Sequence, residues 1–244
     1  MVRFPSRSGR SKMPSEQTTP RRWRPLRAVR RWLWRWLWRP ALAVLLLVAL
    51  FSVVNPPTTW TILTEGTSGR RWTPASQIAP VMLRTVVAAE DANFCRHWGF
   101  DMIEIRKVIA SGSDRGASTL TQQATKNVFL WQRRSWLRKG LEAVLTPVVE
   151  ALWSKQRILE IYLNVAEFGP GIFGVKQAAE FWFDTTPDRL TPAQAARLAA
   201  ILPAPKKRDP RGKAVAARAA AIADGAATIA RDGRAACFQS QPGS

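Results

Sequence analysis

Apolar and polar positions alternate along this chain in a pattern that changes character twice. Residues 1–22 hold almost no core-forming side chains and read as a disordered basic tail. Trp32-Leu-Trp-Arg-Trp-Leu-Trp-Arg-Pro40 then runs into Ala41–Val54, which carries no charge. That uncharged run alone is short of the roughly 20 residues a membrane span needs, but a helix starting near Trp36 reaches the length. Arg39 would then snorkel to the headgroups, with Trp32, Trp34, Trp36 and Trp38 in the interfacial belt. No convincing small-x-small cleavage site follows, which favours an uncleaved anchor over a signal peptide. Asn55-Pro-Pro-Thr-Thr59 ends the helix. Trp60-Thr-Ile-Leu63 reads as a short strand or an extended linker.

From Pro74 onward the pattern is helical. Ile78, Met82, Leu83, Val86 and Val87 keep a 3.6-residue period that leads to Glu90. Ile103, Ile105, Val108 and Ile109 predict a second helix, and Ser111-Gly-Ser-Asp-Arg-Gly116 predicts a loop. Ser118 and Thr119 are N-cap candidates for a helix reaching towards Leu130. Ser135 caps the next helix, to about Trp153, in which Pro147 is expected to make a kink or a break. Ser154 caps another, Lys155 to Leu163. Phe168-Gly-Pro-Gly-Ile-Phe-Gly174 is a glycine-rich turn without a phosphate-loop lysine. Residues 175–183 return to helix, and Thr191-Pro-Ala-Gln194 has the form of a capping box opening a helix to Leu202. Residues 214–231 predict a terminal helix of weak amphipathicity, and the last eight residues look frayed. No repeat period of 20–50 residues is present.

With 244 residues, 46% of them hydrophobic, the chain can build one sizeable domain plus accessory segments. The net charge of +20 is uneven, because residues 1–39 hold 12 Lys/Arg against one acid. That excess places the N-terminus in the cytoplasm and the C-terminal domain outside. A basic chain points to an anionic partner: nucleic acid, membrane lipid or a phosphorylated substrate. The stretch Val128–Lys139 mixes Trp131, Trp136 and Leu137 with Arg133, Arg134, Arg138 and Lys139. It suits anionic headgroups, nucleic-acid stacking, or a plain solvated basic face. Cys95 and Cys237 are too few for a disulfide framework, whether or not they meet, and no Cys/His spacing marks a zinc site.

The candidate chemistry starts at Glu90 and Asp91, adjacent carboxylates at the polar end of an apolar run. The only histidine, His97, follows, then Trp98, Gly99 and Phe100. Desolvation there would raise a carboxyl pKa and fit it for proton transfer. The alternative is a solvated acidic pair at a helix end. The helix start after Gly116 offers free N–H groups to an anion. Along it Gln122 and Lys126 share a face, with Gln123 and Asn127 beside them, and Arg138 and Glu142 share another four residues apart.

Taken together, separated blocks resemble the peptidoglycan glycosyltransferase family, which also supplies the front domain of bifunctional penicillin-binding proteins. They are Glu90-Asp-x-x-Phe94-x-x-His97-x-Gly99, Gly116-x-Ser-Thr-x-Thr-Gln-Gln-x-x-Lys-Asn127-x-Phe-Leu130, Arg138-Lys-x-x-Glu142, and Lys155-x-x-Ile-Leu-Glu-x-Tyr-Leu-Asn164. Gly169-x-Gly-x-x-Gly174, Ala178-Ala179 and Leu198-Ala-Ala-x-Leu-Pro203 follow in the family's order. The blocks cover roughly residues 75–205. The resemblance implies a mostly α, lysozyme-like two-lobed domain preceded by one transmembrane helix. The expected division is a basic cytoplasmic tail (1–31), a signal-anchor (32–54), a linker (55–73), the glycosyltransferase domain (74–210) and a C-terminal helix with frayed tail (211–244). With no room for a transpeptidase domain, the chain resembles the monofunctional kind found in Gram-negative bacteria. Trp182 stands where tyrosine is usual and Gln194 where glutamate is common, both outside the catalytic blocks. Cys95 falls at a variable position.

The resemblance implies polymerisation of lipid II into β-1,4 glycan strands with release of undecaprenyl pyrophosphate. Glu90 is the implied base, and Glu142 the second essential glutamate. Whether Glu142 orients Arg138, binds a divalent ion or helps the leaving group stays open. Asp91, Phe94, Ser118, Thr119, Gln122, Gln123, Lys126, Asn127 and Arg138 are implied substrate-binding residues, supported by His97, Gly116 and Lys139. No cofactor is required, with room left for Mg2+ or Mn2+. The implied partners are lipid II, the growing lipid-linked glycan, the membrane (through the N-terminal helix and the Trp/Arg lobe) and other cell-wall synthesis proteins, with no nucleic acid. The implied location is the bacterial inner membrane, single-pass, with a periplasmic catalytic domain. A lytic enzyme on the same core would have no use for a cationic pyrophosphate site. A nucleic-acid-binding membrane protein would explain the charge but not Glu90, Glu142 and the Gln-Gln helix.

Overall fold

The computed structural model describes residues 24–66, 71–112 and 116–239. The expected tail over residues 1–22, part of the linker, part of the loop before Gly116 and the last five residues lie outside the described residues. The chain divides into two compact units, Met1–Val44 and Leu45–Ser244. Helix α1, Arg24–Phe51, starts earlier than the expected span. It contains one window long and apolar enough to cross a membrane, the 18 residues Trp34–Phe51 with mean hydropathy 1.4. Its last turns belong to the second unit, where the Trp153 indole donates to the Val48 carbonyl at 2.7 Å.

The second unit is mostly helical. The strand or linker expected at Trp60–Leu63 is instead helix α2, Trp60–Glu65. Thr59 caps it by accepting from Ile62 N, and Ile62 is buried. The next helix, α3 (Pro80–Glu90), has proline in its first turn and buries Met82, Leu83, Val86 and Val87, the residues of the predicted period. Helix α4, Met102–Ser111, is capped by Asp101, whose carboxylate accepts from Ile103 N and Glu104 N. It buries no side chain, and Ile103 and Ile109 are exposed. The period there marks a helix without marking an inward face.

Helix α5, Leu120–Phe129, packs between α6 (Trp136–Leu152) and α7 (Lys155–Val165). Pro147 does not divide α6. Proline removes one N–H from the ladder, and the Thr146 hydroxyl, donating to the Glu142 carbonyl at 2.6 Å, adds a bond in the adjacent turn. The glycine-rich turn is a hairpin, β1 (Glu167–Gly169) against β2 (Ile172–Phe173), antiparallel with Glu167 opposite Phe173. Three further helices complete the unit: α8 (Val175–Phe183), α9 (Pro192–Ile201) and α10 (Ala216–Arg231). The expected capping box of Thr191 and Gln194 is present at α9.

The terminal helix expected over residues 214–231 is present, and one expectation about the C-terminus is corrected. Helix α10 buries Ala219, Ile222, Ala226 and Ile229 against α3 and α9, so it is part of the core. Alanines let the backbones approach closely, which a weak hydrophobic pattern conceals. Residues 237–239 are packed rather than frayed: Phe238 is only 1% exposed, and Cys237 forms a disulfide with Cys95, 142 residues away.

Candidate active site

Glu90 ends α3, where the buried apolar face runs out. It borders a cavity of about 440 Å3 that Asp91, Ser118, Thr119, Gln123 and Arg218 also line. Its Oε2 accepts from Gln123 Nε2 at 3.0 Å, while Oε1 is buried and has no partner. Burial pushes the Glu90 carboxyl above its ordinary value and Asp91 adds to the rise, while Gln123, Arg218 and Lys126 oppose it. The site thus holds a carboxyl of raised basicity with one oxygen unengaged.

Asp91 is fully committed. Its Oδ1 meets His97 Nε2 at 2.8 Å and its Oδ2 accepts from Leu120 N at 2.9 Å. His97 therefore contacts Asp91, and the pair ties the Glu90 turn to the start of α5. The Thr119 hydroxyl caps α5 and donates to the Gly99 carbonyl at 2.6 Å. Gly99 has φ +82°, and a Cβ there would come within 2.8 Å of Thr146 Cγ2. Only glycine lets this turn lie against α6. Phe94 has no exposed surface, so it cannot touch a substrate in this arrangement. It packs behind the turn, with Lys155 Nζ 4.4 Å from its ring centroid. Gly116 lines the cavity, and a Cβ added there would meet nothing within 4 Å.

A cationic cluster lies along the next turns. Glu142 is 2% exposed, and its Oε2 is paired with Arg138 Nη1 at 2.8 Å. Its Oε1 takes Lys139 Nζ and, at 3.5 Å, Gln122 Nε2. Lys139 also reaches Ser118 Oγ at 3.3 Å. The Arg138 Nε is buried without a partner. Burial lowers the pKa of the Lys126 ammonium, Glu142 raises it, Arg138 and Lys139 lower it, and Glu90 raises it. Lys126 therefore feels both carboxylates. The cluster is a set of partly desolvated donors with capacity for an anion. Gln122 is occupied inside it, since its side chain also closes the capping box on Thr119 N. Asn127 accepts from Gln132 Nε2 at 3.1 Å.

The Glu142 carboxylate, with Arg138, Lys139 and Gln122 already on it, does not fit as a seat for a divalent ion. Among the described residues no three His, Cys, Asp or Glu side chains converge on one point. Arg218, on α10, was missed in the sequence because it lies among alanines and arginines of a helix with no chemical motif. Its one signal is its place four residues before Ile222, a core position of α10.

A Transglycosylase family model matches residues 59–228. A biosynthetic peptidoglycan transglycosylase of Jannaschia sp. (strain CCS1) is 51% identical over 217 residues, covering 86% of this chain and 91% of the relative. One from Caulobacter vibrioides is 44% identical over 200 residues, 78% of this chain and 87% of the relative. One from Xanthomonas campestris pv. campestris (strain B100) is 44% identical over 206 residues, 77% and 84% of the two chains. The base-like carboxyl, the cationic cluster beside it and these matches agree, and the chain belongs to the Transglycosylase family.

Proposed function

We propose that this chain is a peptidoglycan glycosyltransferase that polymerises lipid II into β-1,4 glycan strands. The observation that carries the reading is the unengaged Oε1 of Glu90, on a carboxyl whose pKa burial has raised, at the edge of a cavity and within the field of Lys126. Glu90 Oε1 accepts the proton of the 4-hydroxyl on the GlcNAc of lipid II. The freed oxygen attacks the anomeric carbon of the growing strand's terminal sugar. The bond from that carbon to the pyrophosphate breaks, and undecaprenyl pyrophosphate leaves with the electron pair. Lys126 and the unpaired Nε of Arg138 receive the negative charge as it develops. An α-linked donor and a β product require the base and the leaving group on opposite faces, as in inverting glycosidases.

In this reading Glu142 is the anchor of the cationic cluster: held by Arg138, Lys139 and Gln122, it fixes where their charge sits. Protein cations supply the charge at this point, since the Glu142 oxygens that would hold Mg2+ or Mn2+ are taken. The apolar helix anchors the chain in the inner membrane with the N-terminus in the cytoplasm, where the Arg-rich side is expected. Tethering confines the search for lipid-linked substrates to a thin layer. The membrane-facing lobe is centred further along than Trp131, which is half-buried. It is the exposed stripe Trp136, Leu137, Leu141 and Val144 on α6. The deciding experiment is polymerisation of lipid II by purified full-length chain, wild type against Glu90→Gln. Strands from the first and none from the second are expected; equal products would end the assignment of Glu90.

A further inference from the structure

We propose that Tyr162 is a positioning residue for Glu90, acting through the side-chain amide of Gln123; this rests on the reading of Glu90 as the base. The three side chains come from three helices. Tyr162 Oη on α7 donates to Gln123 Oε1 on α5 at 3.2 Å, and Gln123 Nε2 donates to Glu90 Oε2 at the end of α3 at 3.0 Å. Tyr162 is the only tyrosine in the chain and is buried in an α7 segment with Ile158, Leu159, Ile161 and Leu163. Phenylalanine would meet the packing there equally well, so the hydroxyl needs another explanation.

A glutamine amide can turn either its oxygen or its nitrogen towards a neighbour. Nitrogen facing Glu90 favours the ionised base, whereas oxygen facing it favours the protonated acid. A buried phenol that only accepts a hydrogen bond leaves its own proton unpaired, at a cost of desolvation. Donating to Oε1 avoids that cost and leaves Nε2 for Glu90. Burial raises the Tyr162 phenol well above its ordinary range, and the Glu90 charge raises it further, so the phenol stays neutral and remains a donor. Tyr162 thus selects the amide orientation that opposes the desolvation of the base.

The test is the pH profile of kcat/KM for lipid II polymerisation by the full-length chain in detergent. Wild type is compared with Tyr162→Phe, Gln123→Ala and the double variant. In Tyr162→Phe the acid limb should move up by about half a pH unit or more, a roughly threefold loss on that limb, with the high-pH plateau within about twofold of wild type. Gln123→Ala should move the limb as far or further, and adding Tyr162→Phe to it should change nothing more. An unmoved limb in a folded Tyr162→Phe, or a Tyr162→Phe effect that persists without Gln123, overturns the proposal. If Tyr162→Phe fails to fold, 3-fluorotyrosine can be placed at this single tyrosine. Its more acidic phenol is the stronger donor and should move the limb down, and a limb unmoved or raised overturns the proposal. An active Glu90→Gln removes the reading of Glu90 itself; an inactive one with an unmoved limb removes only the role of Tyr162.

Discussion

The ring of Phe238, near the end of the chain, lies 6.2 Å from the ring of Phe94 in the turn that follows Glu90. The contact is one part of a strap. Cys237 is bonded to Cys95, Arg234 donates to the Ala92 carbonyl at 3.0 Å, and Gln239 accepts from Arg84 at 2.9 Å. Opening the disulfide by Cys95→Ser frees a closed loop of 142 residues. The expected cost is about 2–4 kcal/mol, a fall in Tm of roughly 5–15 °C for a chain of this size. Thermal unfolding with and without reductant checks it: wild type should lose stability under reduction and Cys95→Ser should not respond.

Glu90→Gln should remove polymerisation, a loss of about 100-fold or more for a missing general base. The same change should stabilise the fold. The folded pKa of Glu90 is raised, so the native state holds the proton more tightly than the unfolded chain, and native stability falls as pH rises through that range. Glutamine has no charge to desolvate. Its gain should be absent below the ordinary carboxyl value of 4.5, grow with rising pH and level off above the folded value. On the order of 1 kcal/mol is expected at neutral pH, as for other relieved functional sites. Urea midpoints of both proteins at pH 4 and pH 8 measure it.

Lys126→Met should lower kcat by about 100- to 1000-fold, the usual effect of removing a donor that meets developing charge. The ammonium is partly desolvated and feels the charge of both Glu142 and Glu90, so its loss touches chemistry more than folding. Single-turnover rates with preformed lipid-linked strand separate this from weaker binding. A defect confined to KM would count against a role at the leaving group.

The turn that carries Glu90 was legible in the sequence because its parts are local. An apolar period ends at Glu90, and Thr119, an N-cap candidate by residue type, does cap α5. The roles of its neighbours were less legible. Phe94 and His97 stand in the same motif as Glu90, yet one packs against the C-terminal strap and the other holds Asp91. Those partners are 144 and 6 residues away, and only folding distinguishes them. Arg218 and Cys237 were illegible for the same reason: they reach the site through α10, whose alanine face carries little pattern. At Trp60–Glu65 the residue types favour a strand, and the cap from Thr59 with burial of Ile62 outweighs them.

Arg218→Ala tests whether α10 belongs to the working site. Its positive charge lowers the Glu90 pKa, so its removal should move the acid limb of kcat/KM to higher pH. The shift should shrink with added salt, because Arg218 acts through charge across a solvent-lined cavity whereas Gln123 acts by contact. A pH series at low and at high ionic strength distinguishes the two.

Trp136 is 93% exposed, and Leu137, Leu141 and Val144 continue its apolar stripe along α6. A stripe of that kind on a water-facing helix is unfavourable unless something covers it. Basic side chains lie beside it: Arg133 and Arg134 are exposed in the preceding loop, and Lys139 is half-buried on the same helix. Aromatic and aliphatic side chains edged by cations match the boundary between acyl chains and anionic headgroups. A chain starting at residue 45 lacks most of the apolar span and leaves this surface to act alone. It should float with vesicles containing anionic lipid. Trp136→Ala with Leu137→Ala should lower the vesicle partition coefficient by roughly 100-fold or more, because each buried side chain contributes about 1.5–3 kcal/mol. Trp131→Ala should matter less, since that ring is half-buried within the fold. Circular dichroism separates lost binding from lost structure. Equal flotation of the double variant and the parent would place the membrane contact elsewhere, with the exposed Met102, Ile103 and Ile109 of α4 as the next surface to change.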